Sequence, residues 1–279
     1  MTFALDHLVV NVLFDMDRAE TMMSQLGFTV TPRGYHSLGS INHLMIFEGH
    51  YLELVGLPSA ADVLRKDLLD SPRGVNGLVF KANDIDTCAS SLRLSGLAML
   101  EPQSFSRPVT IDGVEQLARF RTVRTAPELF EAGRVYYCQH CTPELVWHRP
   151  WMTHVNGCSA LSELVVVTDA IEADASRYAK AAQARAEKQG SEVWTIDLAS
   201  GFRLTLMSPA RYVERYGECG VNGNGRRSFF GAVVFKTPDV GRVGGIAASI
   251  PGLRMGEGAN SLLLLIPFLN TLFEFRSDR

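Results

Sequence analysis

Histidine is missing from the second half of this sequence. His7, His36, His43, His50, His140, His148 and His154 make up the full set, and all precede residue 155. Any imidazole chemistry therefore belongs to the first half. Lysine is scarce too, with Lys66, Lys81, Lys180, Lys188 and Lys236 the only ones, so arginine carries most of the positive charge. The formal net charge is −3, and no basic stripe is present that would hold nucleic acid. Long apolar runs are also lacking. The longest, such as Ser261–Leu269, reach about nine residues, under half of the roughly 20 needed to cross a bilayer as a helix. The opening Met-Thr-Phe-Ala-Leu-Asp-His has no basic segment followed by an apolar one, so a cytoplasmic protein without a signal peptide is expected. The 5 cysteines are an odd number without a regular framework, which fits reduced thiols. Cys138 and Cys141 form a lone C-x-x-C with no second pair, and they read as strand and turn residues rather than a zinc knuckle or redox pair. What remains is a folded chain: 46% hydrophobic residues over 279 positions suffice for one large or two modest domains.

The most informative pattern is an internal repeat. Four times a β-branched run is followed by a helical stretch and then by further strands. The first unit opens with Asp6-His7-Leu8-Val9-Val10-Asn11-Val12. Met16, Ala19, Met22, Met23 and Leu26 then fall on one helical face that Gly27 ends, with Asp15 as the expected N-cap. Strands are predicted at 28–31, 43–48 and 51–55. The second unit starts at Asn76-Gly77-Leu78-Val79-Phe80, continues with a helix from Asp84 to Leu94, and has predicted strands at 116–123, 135–140 and 143–147. The third opens with Glu163-Leu164-Val165-Val166-Val167, with a helix predicted over 170–188 and strands at 192–197 and 202–207. The fourth opens with Gly231-Ala232-Val233-Val234-Phe235, with a helix near 240–249 and strands at 261–266 and 271–276. Leu52-Glu53-Leu54-Val55 is echoed by Pro143-Glu144-Leu145-Val146 and more loosely by Leu272-Phe273-Glu274-Phe275. The expected fold class is α+β: four βαβββ units arranged as two pairs. The expected domains are residues 1–153 and 160–279, joined by a linker around 149–160 that carries Pro150, Asn156 and Gly157.

Several segments carry a resemblance to a known family. They are Leu5-Asp6-His7-Leu8-Val9-Val10, Leu26-Gly27-Phe28-Thr29-Val30-Thr31-Pro32, Asn42-His43-Leu44, Tyr51-Leu52-Glu53-Leu54 and Gln139-His140-Cys141-Thr142-Pro143-Glu144-Leu145-Val146-Trp147. The first ~155 residues resemble the glyoxalase-like domain family of the vicinal oxygen chelate superfamily, which includes glyoxalase, bleomycin resistance and extradiol dioxygenase proteins. The second half resembles that fold by its repeat plan alone. The resemblance implies two paired-sheet glyoxalase-like domains. It also implies metal ligands on the first and last strands of each unit, converging in a cleft.

Carried onto this chain, the implied ligands are His7, Glu53 and Glu144, while Gly77 stands where a further ligand is expected. One imidazole and two carboxylates suit a divalent ion such as Zn, Fe, Mn or Ni. The implied chemistry is capture of a small vicinal-oxygen substrate and lyase or isomerase turnover through an enediolate, with Glu144 as base and His140 as ligand, shuttle or orienter. Arg33 and Arg121 are candidate substrate-binding residues, because a guanidinium fork can hold a carboxylate, and His43 is a third candidate. The incomplete ligand set leaves a metal-free binding protein as the alternative. An extradiol dioxygenase is less favoured, since it would need an imidazole at Gly77 or Gly231. In the second half Glu163 and Glu274 occupy ligand-like places without an imidazole, which marks that half as a degenerate copy. The glycine-rich 220–225 segment does not run from a strand into a helix with a phosphate-binding lysine, so it is read as a loop. The expected partners are a small-molecule substrate, with neither nucleic acid nor membrane, in a monomer or homodimer.

Overall fold

The computed structural model describes residues 2–59 and 65–277. The first repeat comprises β1 (Leu5–Leu13), α1 (Met16–Gln25), β2 (Gly34–Tyr35), β3 (Ile41–Phe47) and β4 (His50–Gly56). A short helix, α2 (Lys66–Leu69), leads to the second repeat: β5 (Gly74–Lys81), α3 (Ile85–Leu94), β6 (Gln103–Ile111), β7 (Val114–Arg124) and β8 (Arg134–His140). The third repeat is β9 (Ala160–Thr168), α4 (Ile171–Ala182), β10 (Ala186–Lys188), β11 (Val193–Asp197) and β12 (Arg203–Met207). After α5 (Pro209–Tyr216) comes the fourth: β13 (Ser228–Thr237), α6 (Val240–Ala247), β14 (Arg254–Gly258), β15 (Ser261–Ile266) and β16 (Thr271–Ser277). These are the four βαβββ units that the repeat predicts.

In each repeat the opening strand runs parallel to the closing one, as in β1 with β4 and β5 with β8. Paired repeats join through antiparallel opening strands, β1 with β5 and β9 with β13. Two eight-stranded sheets result, ordered β2-β3-β4-β1-β5-β8-β7-β6 and β10-β11-β12-β9-β13-β16-β15-β14. Successive strand residues point to opposite faces. One face of each sheet, with α1, α3, α4 and α6, packs into a continuous core that holds Leu8, Val10, Leu52 and Leu78 of the first sheet and Leu164, Val166, Leu204 and Phe273 of the second. The other face of each sheet has its own cluster, around Val9, Leu44 and Val79 in the first and around Val165, Tyr212 and Leu263 in the second. No helix among the described residues is long and apolar enough to cross a membrane.

Several local expectations change. Residues 28–31 are irregular, and β2, β6, β10 and β14 are additional strands. The helix expected to reach Lys188 stops at Ala182, because Gln183 takes a left-handed backbone (φ 48°). Asp15 makes no cap hydrogen bond and pairs with Arg73 instead, whereas Asp84 does cap α3, accepting from the Thr87 N–H at 2.7 Å. Residues 143–147 do not form a strand. Pro143–Leu145 is a single 3-10 turn, with Pro143 at its start, where a missing N–H costs nothing. Leu145 and Val146 are buried below that turn, so their apolarity reports packing rather than a sheet.

The expected linker is held firmly. Asn156 donates through Nδ2 to the Leu26 carbonyl (2.9 Å), and its backbone N–H bonds Gly27 (3.1 Å). Gly27 has φ +79°, and a Cβ there would lie 3.0 Å from the Asn156 nitrogen, so both the helix stop and the docking demand glycine. His154 Nδ1 accepts from the Thr29 N–H (3.0 Å) while Nε2 bonds the Ile46 carbonyl (3.0 Å). His50 Nε2 accepts from the Leu161 N–H (2.9 Å), tying β4 to β9 across the two halves.

Both imidazoles must be neutral to accept these bonds. Burial pushes each down from 6.5 to about 4, and nearby Lys81 adds to the effect at His50. Between these values the unfolded chain binds the proton and the folded one does not, so stability falls with acidification from about pH 6.5 to 4. Each histidine contributes at most about 3 kcal/mol to that loss. Urea denaturation across this interval is expected to show the slope, and His154→Gln to make it shallower; a flat profile would contradict the assignment.

Candidate functional site

The concave face of the first sheet surrounds a cavity with about 50 Å3 of water-accessible space, enough for roughly three to four waters. Its walls come from strands at both ends of the sheet. The 36–40 turn meets β6 through the Ser37 N–H to the Ser106 carbonyl (2.8 Å) and the Ser106 N–H to the Ser37 hydroxyl (3.1 Å). This contact brings the two edges of the sheet together. The β6–β7 hairpin that makes it possible turns at Asp112 and Gly113, both at positive φ (52° and 79°), the turn that suits strand twist.

His7 and Glu53 face each other inside the cavity. β1 and β4 are in parallel register with Val9 beside Glu53 and His7 beside Tyr51, so His7, Val9, Tyr51 and Glu53 share a face. His7 Nε2 lies 3.6 Å from Glu53 Oε2 and 3.4 Å from the Tyr136 hydroxyl, and its ring stacks on Tyr51 at 4.4 Å. Asn42 donates through Nδ2 to Glu53 Oε1 at 2.7 Å. His36 Nε2 stands 4.0 Å from the same oxygen. Burial holds His36 down at about 4, with Glu53 opposing and Arg107 and Arg65 reinforcing, so this imidazole is neutral at pH 7.

Behind His7 lies Asp6. The β1–β5 register slips between Leu5 and His7, a bulge that turns Asp6 towards the His7 side. Asp6 Oδ1 sits 2.6 Å from His7 Nδ1 and 3.0 Å from His140 Nε2, and the residue has no exposure. Burial alone would raise its pKa, but the two imidazoles outweigh it and hold the carboxyl well below the usual range. A carboxylate on Nδ1 fixes the His7 tautomer and presents the Nε2 lone pair to the cavity.

Arginine supplies the remaining charge. Arg65, Arg107, Arg124 and Arg134 all line the cavity. Asp67 serves three of them, at 2.6 Å from Arg65, 2.9 Å from Arg124 and 3.7 Å from Arg134. Arg107 is 3% exposed, and among the described residues its Nη2 has no partner.

The glyoxalase-like domain model matches residues 5–182. The chain belongs to this family. No curated protein matches the sequence. Solved structures share its fold at low identity. A hypothetical protein from Staphylococcus aureus is 11% identical over 99% of both chains, with a TM-score of 0.69. A mutant 4-hydroxymandelate synthase from Streptomyces coelicolor is 15% identical over 99% of this chain and 92% of that one, at 0.58. A xylose isomerase-like TIM barrel/4-hydroxyphenylpyruvate dioxygenase fusion protein is 13% identical over 99% of this chain and 50% of that one, at 0.60. The fold is that of the vicinal oxygen chelate proteins.

Within this glyoxalase-like fold, the residues expected from the sequence separate clearly. His7 and Glu53 come together. Glu144 does not join them: it is exposed on the 3-10 turn beyond β8. The closing strand of the second unit is β8, and its Tyr136 pairs with Val79 as Glu53 pairs with Val9, so Tyr136 holds the corresponding place. His140 stands behind His7 on Asp6 and packs on Trp147 at 4.4 Å, outside the cavity lining. Arg33 pairs with Asp17 (2.6 Å) and Glu20 (2.8 Å) and donates to His43 Nε2 (3.1 Å), while His43 Nδ1 bonds the Thr31 carbonyl (2.7 Å). That group lies on the α1 side of β3, opposite Asn42. Arg121 forks onto Asp86 of α3 at 2.7 and 2.9 Å. None of Arg33, His43 and Arg121 lines the cavity.

The sequence reading missed Asp6, Asn42 as a partner of Glu53, His36, Tyr136 and Arg107. Asp112-Gly113 between two alternating runs was the available signal for the β6–β7 hairpin, and hence for Arg107. In the second half, Glu163 and Glu274 are bound by Arg215 and Arg276 at 2.7–3.3 Å, with the Tyr216 hydroxyl donating to Glu274 at 2.8 Å. Those carboxylates are already neutralised.

The donors in the first-half cavity fit a divalent ion in their chemistry: an imidazole nitrogen whose other nitrogen is held by a carboxylate, a carboxylate oxygen and a phenol. Asp6, Cys138 and His140 form a second group whose ligand atoms lie within 4.8 Å of one another. An ion there would have to displace the bonds Asp6 makes to both imidazoles, and burial pushes the Cys138 thiol well up, away from the thiolate a metal needs. Asp6→Asn keeps the shape of the support and removes its charge. It is expected to lower stability by about 2 kcal/mol in urea denaturation, and to free the His7 ring to change tautomer, visible in its nitrogen chemical shifts.

Proposed function

We propose that the first-half cavity is the active site of a metal-assisted enzyme of lyase or isomerase type, acting on a small vicinal-oxygen molecule through an enediolate. The observation that carries this reading is the Asp6–His7–Glu53 line, which runs from a buried carboxylate to a second carboxylate 3.6 Å beyond the imidazole. A bound divalent ion (Zn, Fe, Mn or Ni), held by His7 and Glu53 with Tyr136 beside them, would polarise the substrate oxygens as a Lewis acid.

The protein's own groups divide the remaining work. Asn42 anchors Glu53 through Oε1, and Oε2, once released from the ion, takes a proton from the carbon next to the substrate carbonyl. As that C–H bond breaks, its electron pair forms the C=C bond of the enediolate and the carbonyl π pair moves onto the carbonyl oxygen. The proton then returns to the former carbonyl carbon while the adjacent hydroxyl passes its proton to the first oxygen and becomes the new carbonyl, which completes an isomerisation. Tyr136 can donate its hydroxyl proton in a hydrogen bond to the developing oxyanion. His140 acts only through Asp6 and is a positioning residue. Phe105, Phe120 and Leu44 give part of the wall an apolar surface.

A second reading, a metal-free binding protein working as a monomer or homodimer in the cytoplasm, is favoured by one observation: Glu144 stands apart from His7 and Glu53. Metal analysis of the purified protein separates the two. The enzyme reading expects one equivalent of a divalent ion in the wild type and its loss in His7→Ala; a wild type that neither carries nor takes up metal would leave the binding reading.

A further inference from the structure

Arg107 is a buried guanidinium that makes no ion pair among the described residues; Glu53 attracts it only from beyond contact distance. It lies on β6, is 3% exposed, lines the cavity beside Glu53 and Asn42, and among the described residues no carboxylate or carbonyl meets its Nη2. A buried charge without an ion pair is costly to the fold; an orphaned guanidinium donor within a cavity calls for an acceptor from outside the chain, and an anion there would also offset the charge. A second orphan complements it: Asn42 Oδ1, also buried, accepts no hydrogen bond among the described residues. The two lie close together, since a Cβ built on Gly34 would be 2.2 Å from Asn42 Oδ1 and 3.0 and 3.3 Å from Arg107 Cδ and Nη1. Glycine at position 34 lets both side chains pack against its backbone.

We infer that this corner seats the carboxylate of a small monoanionic ligand on Arg107, with a hydroxyl or amino group next to that carboxylate donating to Asn42 Oδ1. Planar carboxylate oxygens match the guanidinium fork. Arg65, Arg124 and, at 3.7 Å, Arg134 pair with Asp67. Although Arg134 Nη2 is also unpartnered among the described residues, Arg107 is the cavity guanidinium without an ion pair there, which suits one negative charge. The inference rests on the reading that this cavity is the substrate site, and it names the substrate's charge and the residue that selects it. Nothing in it depends on the metal.

The test uses full-length protein after chelator treatment, with glycolate as the probe and acetate, ethylene glycol and inorganic phosphate as comparisons. Calorimetric titration is expected to show glycolate binding more tightly than acetate or phosphate, and ethylene glycol not binding. Arg107→Met is expected to weaken glycolate about tenfold to a hundredfold, while raising the melting temperature of the ligand-free protein by about 2–4 °C, because an uncompensated charge leaves the interior. Crystals soaked in glycolate provide a reading that does not depend on how a variant folds: its carboxylate should lie within hydrogen-bond distance of Arg107 Nη2. Phosphate binding tighter than glycolate, unchanged glycolate affinity in Arg107→Met, or glycolate seated away from Arg107 would each overturn the inference. Loss of metal in His7→Ala bears on the catalytic reading alone, so failure of the two can be told apart.

Discussion

A carboxylate with no exposure to water organises the first half of this protein. Asp6 would be strongly disfavoured as an anion at its depth, and it remains one because two imidazoles bond the same oxygen. That arrangement couples distant parts of the chain. A bulge near the amino terminus turns Asp6 to the His7 side, the last residue of β8 delivers His140, and Tyr51 of β4 stacks on the His7 ring. If any of these shifts, the Nε2 lone pair of His7 no longer meets Glu53. The charge at Asp6 therefore acts as a positional constraint on the site rather than as a source of net stability, which is what buried ion pairs best provide.

The two halves share a scaffold and use its concave face differently. In the first, the Ser37–Ser106 contact draws β6 across and leaves a small polar space. In the second, α5 covers the corresponding face, with the Tyr212 hydroxyl on the Gly231 carbonyl at 2.8 Å and Tyr216 on Glu274. Arg215 and Arg276 complete the neutralisation of Glu163 and Glu274. The first half keeps donors facing a cavity; the second satisfies its polar groups internally, and the shared core of the two sheets lets it brace the first.

The repeat, the four units and the His7–Glu53 meeting were legible because they depend on strand periodicity and on pairing between units, and both leave a two-residue alternation in the sequence. The rest depended on where strands end. Leu145 and Val146 look like strand residues, yet Pro143 begins a 3-10 turn and the apolar pair is buried beneath it. Register then passes to Tyr136, a position that no motif marks. Arg33, His43 and Arg121 have the right chemistry for an anion, but each sits on a strand face or edge where an acidic helix residue reaches it first: Asp17 and Glu20 from α1, Asp86 from α3. Arg107 was hidden for the opposite reason. Its strand begins in an uneven run, Gln103-Ser104-Phe105-Ser106, and only the hairpin turn betrays it.

Gly77 shows why the missing ligand is more than a lost side chain. Gly77 pairs directly with Val9, and a Cβ there would lie 2.8 Å from Val9 Cβ. Gly231, opening the fourth repeat, meets the same obstacle, with Val167 Cγ2 at 2.8 Å and the Tyr212 ring at 2.6 Å. In both halves the opening strand of the second unit is pressed so closely against its neighbour that a β-branched residue fills the place a ligand would need. A histidine introduced at position 77 alone would have to displace Val9, which belongs to the cluster lining the cavity, and overpacking there carries a cost of about 1–3 kcal/mol. The departure from a four-ligand plan is therefore written into the packing of β1 against β5. The cavity is lined from one unit by His7, Asn42 and Glu53, and from the other by Tyr136, Arg107, Arg124 and Arg134.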